Sequence, residues 1–176
     1  MPALPIRVYG DPVLHQPTLE VERFDAALRQ LAERMIETMY AAPGVGLAAN
    51  QVGVRQRMFV YDKGDGAHVV VNPRIVETSG EWTYEEGCLS VPGLSWPIVR
   101  PNRVHLVGVD LDGEPIDLEV DEYEGRILQH ETDHLDGVVL VERLSDEPKR
   151  EARRTLAERG SRPGRGGEGL DRLLER

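Results

Sequence analysis

Apolar residues recur at helical spacing in one early stretch of the chain and in shorter alternating runs further along. Phe24, Leu28, Leu31, Met35, Ile36 and Met39 share one face of a 3.6-residue repeat, which predicts an amphipathic helix over 24–40 that stops before Ala42-Pro43-Gly44. A Gly/Ala loop follows at 44–53. Strand-like runs occupy 57–62, 68–73 and 104–111, and the turn signal Asp112-Gly113 pairs the last of these with 114–120 as a hairpin. Asp121, with Glu124 three residues later, has the form of a capping box and opens a second helix over 122–135, which Gly137 ends. Residues 138–144 read as a strand, and 146–159 as a third helix with Pro148 in its first turn. The Gly/Arg-rich stretch 160–169 then breaks all regular structure and is expected to be mobile. No internal repeat is present. The pattern as a whole predicts an α+β fold, with short antiparallel β-strands and hairpins packed around a central helix.

Composition narrows this picture. A chain of 176 residues fits one domain, long enough to bury roughly 70% of its unfolded surface. Apolar residues at 40% and charged residues at 30% give an ordinary soluble balance. No apolar run approaches the ~20 residues that cross a bilayer. The first residues lack the basic-then-apolar layout of a secretory signal, so a cytoplasmic location is expected, without membrane attachment. A single cysteine excludes an internal disulfide and is either core filler or a functional thiolate. The net charge of −10 argues against the body of the protein wrapping DNA. Charge is uneven: from Lys149 to Arg176 nine basic and five acidic residues give +4, which leaves −14 on residues 1–148. An acidic body (1–148) therefore precedes a basic extension (149–176), expected to be part helical and then flexible.

The second predicted helix carries His130, Glu131 and His134 in the order H-E-x-x-H. Residues four apart share a helix face, so both imidazoles can grip one metal ion. A tetrahedral catalytic site usually takes three protein ligands and leaves one place for water. A metzincin-type third histidine is excluded, because position 140 is leucine and no histidine follows His134. Glu151 and Glu158 could serve as a downstream carboxylate, but they lie in a highly charged segment with little apolar cover for a metal. His15, His68 and His105 have no partner spacing, and His105 reads as a solvent-facing strand residue. Cys88 is the better candidate: Gly87 and Pro92 bend the chain around it, and a thiolate is a strong ligand for zinc or ferrous iron. Glu131 lies about 100° round the helix from His130. It is thus poorly placed as a co-facial ligand but well placed as a general base toward a metal-bound water.

Three segments, GVGLAANQ at 44–51, EGCLS at 86–90 and QHETDH at 129–134, resemble the three sequence motifs of peptide deformylase, in that family's order. The resemblance runs from residue 9 to residue 144, with nothing to match beyond about 148. It implies that Cys88, His130 and His134 bind a divalent metal, iron(II) in much of the family, with zinc or nickel also accepted. The implied reaction is hydrolysis of the formyl group from formyl-methionyl nascent polypeptides, releasing formate. Such an ion lowers the pKa of its water to near 7 and supplies hydroxide at neutral pH. The resemblance nominates the side-chain amide of Gln51 and the backbone N–H of Leu89 as oxyanion donors. It also implies that Val45 and Gly46 present backbone groups to an extended peptide. Ile127, with His130 on the same helix face, is a candidate wall for the methionine pocket. Gly44, Gly46 and Ala49 also satisfy the dinucleotide pattern G-x-G-x-x-G/A, but a helix rather than a strand precedes them, which argues against a nucleotide site.

Several residues keep open readings. Asp133 orients a histidine or binds an arginine, Glu86 and Arg100 form a plausible ion pair behind Cys88, and Trp96 lines a groove or packs. The basic tail suggests transient electrostatic contact with the ribosome, against a merely solvated extension. Two further function classes stand beside deformylation: a metalloprotease, if Glu151 or Glu158 is the third ligand, and a non-catalytic metal-binding or ribosome-associated protein.

Overall fold

The computed structural model describes residues 2–160. The stretch expected to be mobile lies, apart from Gly160, outside the described residues. Helix α1 (Ala26–Ala41) starts two residues later than its apolar pattern suggests, because Asp25 is its N-cap and accepts a hydrogen bond from Leu28 N at 3.1 Å. Leu28, Ala32, Met35 and Met39 are buried, whereas Phe24 falls outside the helix and stays exposed.

The strands are β1 (Gly46–Ala48), β2 (Met58–Tyr61), β3 (His68–Ser79), β4 (Trp82–Gly87), β5 (Ser95–Arg100), β6 (Arg103–Val109) and β7 (Pro115–Asp121). Five of them form one sheet in the order β1-β2-β3-β6-β7, every neighbouring pair antiparallel. β4 and β5 make a separate two-stranded ribbon. The β6–β7 hairpin closes at Asp112-Gly113 as the turn signal requires: Gly113 has φ +79, and the Asp110 carboxylate accepts from Asp112 N and Glu114 N. β3 runs through Pro73, where the pattern suggests an end. A register shift between Val71 and Arg74, with Asn72 at φ +51, spares the ladder the missing N–H.

Helix α2 (Glu122–Leu135) has the extent its pattern predicts and lies centrally. Ile127, Leu128 and Leu135 pack with Phe59, Tyr61, Val70, Val104 and Leu106 of the sheet. A Cβ on Gly125 would stand 3.3 Å from Asn102 O, so glycine permits this close helix–sheet approach. The expected capping box is not formed: Asp121 makes no side-chain cap bond. Asp121 is still paired in β7, and the corner is made by Glu122 (φ +48), whose N–H bonds to Asn102 O. Glu124 instead accepts from Tyr61 Oη and pairs with Lys63.

Residues 138–144, read as a strand, form a single 3-10 turn at Leu140–Arg143. Val139, Leu140, Val141 and Leu144 are buried with Leu14, Val91, Ile98 and Ala152, so this apolar run packs on several sides and needs no ladder partner. Helix α3 (Asp146–Gly160) follows, with Ala152 and Leu156 turned to that cluster. The fold class agrees with the expectation of short antiparallel strands around a central helix.

Candidate metal centre

His130 and His134 stand one turn apart on α2, with ring centroids 5.0 Å apart. Cys88 follows the last residue of β4 and enters a tight turn in which Val91 N donates to Cys88 O at 2.9 Å. Its Sγ lies 3.2 Å from His134 Nε2, and one ligand atom from each of Cys88, His130 and His134 falls within 4.8 Å of the other two. Among the described residues no other cluster of three metal-ligating side chains converges in this way. Glu151 and Glu158 lie exposed on α3 and outside the cluster, which removes the structural basis of the protease alternative.

Behind the ligands lies a buried ionic network. His130 Nδ1 is 2.9 Å from Glu86 Oε1. A carboxylate only accepts, so Nδ1 carries a proton toward Glu86 and Nε2 is the atom directed to a metal. Arg100 donates to both Glu86 oxygens, at 2.7 and 2.9 Å, and to Asp133 at 2.8 Å. Arg126 also pairs with Glu86. Burial disfavours the Glu86 charge, but His130 and Arg100 outweigh it and hold the carboxyl below the usual carboxylate range. Burial, then the neighbouring His130 charge, keeps His134 neutral, the form that ligates. Burial also works against a charge on His130, yet Cys88 and Glu86 raise its pKa, so binding an ion there displaces a proton. One thiolate and two imidazoles, the latter pre-oriented by a carboxylate and by helix spacing, suit iron(II), zinc or nickel. The expected Glu86–Arg100 pair is present, and Asp133 binds Arg100 and Arg143 rather than a histidine.

Glu131 is 3% exposed, and its Oε2 has no hydrogen-bond partner. Burial is the largest influence on it and, against the opposing charge of His130, pushes its carboxyl up to about 7. A carboxyl with that affinity can take up and release a proton near neutrality. Gln51 is held in one orientation: its Oε1 accepts from Ala48 N at 2.9 Å, so its amide N–H group faces Ser90 Oγ, at 3.1 Å, and the Cys88 sulfur, at 3.7 Å. Leu89 sits next to Cys88, and a Cβ on Gly44 would stand 2.7 Å from its Cδ1, so the first glycine of the loop makes room for it.

The loop read at 44–53 contains β1 and a 3-10 turn at Ala49–Val52. β1 is an edge strand. Val45 is exposed, and its carbonyl already accepts from Asp62 N. Gly46, the next residue, therefore directs its own backbone groups to the open edge. Ile127 is buried with Ala48, Phe59 and Tyr61. Trp96 lies opposite Glu86 in the ribbon and packs on the cluster around Ile98. Arg126, Ser90 and Asn50, whose Nδ2 donates to His134 O, were not singled out by sequence. Arg126 carried a usable signal, since it lies four residues before His130 on the same helix face.

Known proteins share this sequence pattern and fold. The family model for polypeptide deformylase matches residues 3–150. A peptide deformylase of Acidothermus cellulolyticus is 47% identical over 158 residues, covering 90% of this chain and 88% of that one. The crystal structure of peptide deformylase from Thermotoga maritima superposes with a TM-score of 0.81 at 45% identity, over 83% of this chain and all of that one. The enzyme from Ehrlichia chaffeensis, in complex with actinonin, superposes with a TM-score of 0.86 at 36% identity, over 92% of this chain and 100% of that one. Motifs, fold and relatives lead to one conclusion: the chain belongs to the peptide deformylase family, metal-dependent hydrolases that act on formylated nascent peptides.

Proposed function

We propose that Cys88, His130 and His134 hold one divalent ion, iron(II) in the cell with zinc or nickel as substitutes, and that this site hydrolyses the formyl group of formyl-methionyl nascent chains to release formate. The observation that carries the reading is the convergence of the three ligand atoms within 4.8 Å, with a buried, partnerless Glu131 carboxylate oxygen between the ligating histidines on the same helix. When bound, the ion supplies Lewis acidity toward water and toward the formyl oxygen. Glu131 takes the proton of the attacking water and returns it to the departing amine. Gln51 Nε2 and Leu89 N–H donate to the oxyanion as charge develops on the formyl oxygen. The open edge of β1 at Gly46, beside Val45, receives the substrate backbone as an added strand, and Ile127 contributes to the apolar wall for the methionine side chain.

Residues 1–148 form the catalytic unit in this reading, and 149–176 a basic extension. A +4 extension on a −14 body meets the ribosome by electrostatic contact, while the acidic body disfavours DNA. The enzyme works in the cytoplasm. No described helix is long and apolar enough to cross a membrane.

Formate release from a formyl-Met dipeptide, by anaerobically iron-loaded protein beside a Glu131→Gln variant, tests the reaction. Release by the parent and near-silence from a metal-bound variant is expected. No release from folded, loaded parent protein overturns the reading and favours a binding role. Removal of residues 161–176 together with Arg150→Gln and Arg154→Gln is expected to weaken salt-sensitive co-sedimentation with ribosomes, and unchanged co-sedimentation removes the tail contact.

A further inference from the structure

The three ligands sit on two elements that share no backbone ladder. Cys88 lies in the turn that joins β4 to β5, in a ribbon separate from the main sheet, and both histidines lie on α2. Side chains therefore set the spacing between them. Arg126, 3% exposed, reaches from α2 to the ribbon: Nη1 donates to Glu86 Oε2 and, at 3.0 Å, to Ile98 O, and Nη2 donates to Trp82 O. Its guanidinium centre lies 5.1 Å from the Trp82 ring centroid and 5.7 Å from that of Tyr84. One turn further along α2, His130 contacts the other oxygen of the same carboxylate, Glu86 Oε1. Two residues of one helix face thus grip opposite oxygens of one side chain.

Charge balance does not require Arg126. Arg100 already meets both Glu86 oxygens, and a second buried guanidinium adds a desolvation cost. What Arg126 adds is direction, because its planar fork is fixed by two backbone carbonyls and two aromatic rings and leaves one N–H aimed at Glu86 Oε2. We propose that Arg126 is a positioning residue for the metal site: it holds Glu86 in line with His130 Nδ1, fixes the imidazole, and so governs how long the site retains its ion. This rests on the metal reading above.

The test uses full-length protein loaded with Co2+ under nitrogen, followed by its thiolate-to-cobalt absorption after addition of excess chelator. Arg126→Met is expected to release Co2+ about ten- to a hundred-fold faster than the parent, with a shifted absorption band. Arg126→Lys, which keeps the charge but not the fork, is expected to release it at least about ten-fold faster and serves as the probe should the methionine variant not fold. In a Glu86→Gln background the same substitutions should add little. Parental release rates and spectra in the folded variants, with only a lower unfolding temperature, would mark a merely structural role and overturn the inference. An undiminished effect in the Glu86→Gln background overturns it as well. Failure of the parent to take up Co2+ sinks the metal reading itself, and this inference with it.

Discussion

Gly46 of β1 lies directly against the Glu131 side chain: a Cβ built at position 46 would stand 2.8 Å from Glu131 Cδ and 3.0 Å from its Cγ. Gly46 has no unusual φ, so glycine is needed for space rather than for backbone freedom. Gly46→Ala must displace the carboxylate while leaving the three ligand residues untouched. Its kcat for formate release should fall about 10²-fold or more, with metal content unchanged. Parental turnover in this variant would mean that Glu131 does not act from its present position.

Gln51 offers a separate handle, because one end of its amide is structural. Glutamate at this position keeps the acceptor for Ala48 N–H but loses the donor and brings negative charge toward the oxyanion. Gln51→Glu should lower kcat by about 10²- to 10³-fold with a smaller change in KM. A change confined to KM would move Gln51 from transition-state stabilisation to ground-state binding.

Removal of the thiolate is the direct test of the third ligand. Cys88→Ala, which cannot ligate, should lose stoichiometric metal on dialysis and keep its fold, since Cys88 is only partly buried at the margin of a core cluster. Elemental analysis decides it. Full occupancy in the variant would remove Cys88 from the ligand set.

Glu86 should leave a signature in acid stability. Its carboxyl is buried, which alone would raise its pKa, yet His130 and Arg100 hold it below the ordinary range. A carboxyl depressed in the folded state contributes stability that is present above its unfolded value of about 4.3 and is lost as pH falls. The Tm of metal-free protein should therefore drop as pH falls below about 5, and Glu86→Gln should show a shallower slope there. At neutral pH the same variant should unfold more easily, because it leaves the buried Arg126 without its carboxylate and Arg100 with Asp133 alone. Parallel Tm profiles for parent and variant would show that Glu86 carries no such linkage.

Helices α1 and α2 were legible because their signals are local. The apolar face from Leu28 to Met39 places α1, with only its start shifted by the Asp25 cap, and the β6–β7 hairpin follows from Asp112-Gly113 between alternating runs. The β4–β5 ribbon escaped notice for the opposite reason. Residues 82–87 carry Glu85 and Glu86 among aromatics, and 95–100 contain Pro97, so neither shows clean alternation. Residues 138–144 misled because a run of buried aliphatics has the same composition whether it joins a ladder or wraps on a cluster. Arg126 is half-legible: its place four residues before His130 puts it on the ligand face, but its partner Glu86 is 40 residues away in sequence and only the fold brings the two together.

The sequence by itself determined the pair His130 and His134, the glutamate between them and the helix that presents all three, since four-residue spacing is a property of the chain alone. It also put forward Cys88, Gln51 and Leu89 through their motifs. Only the tertiary structure brought Cys88 to His134 across 46 residues, excluded Glu151 and Glu158, buried Glu131 against Gly46, and closed Glu86 between Arg100, Arg126 and His130. Those relations depend on how a ribbon, a sheet edge and a helix exclude water together. Burial then sets both the proton affinity of Glu131 and the strength of the ion pairs around Glu86, and no local stretch of sequence carries either.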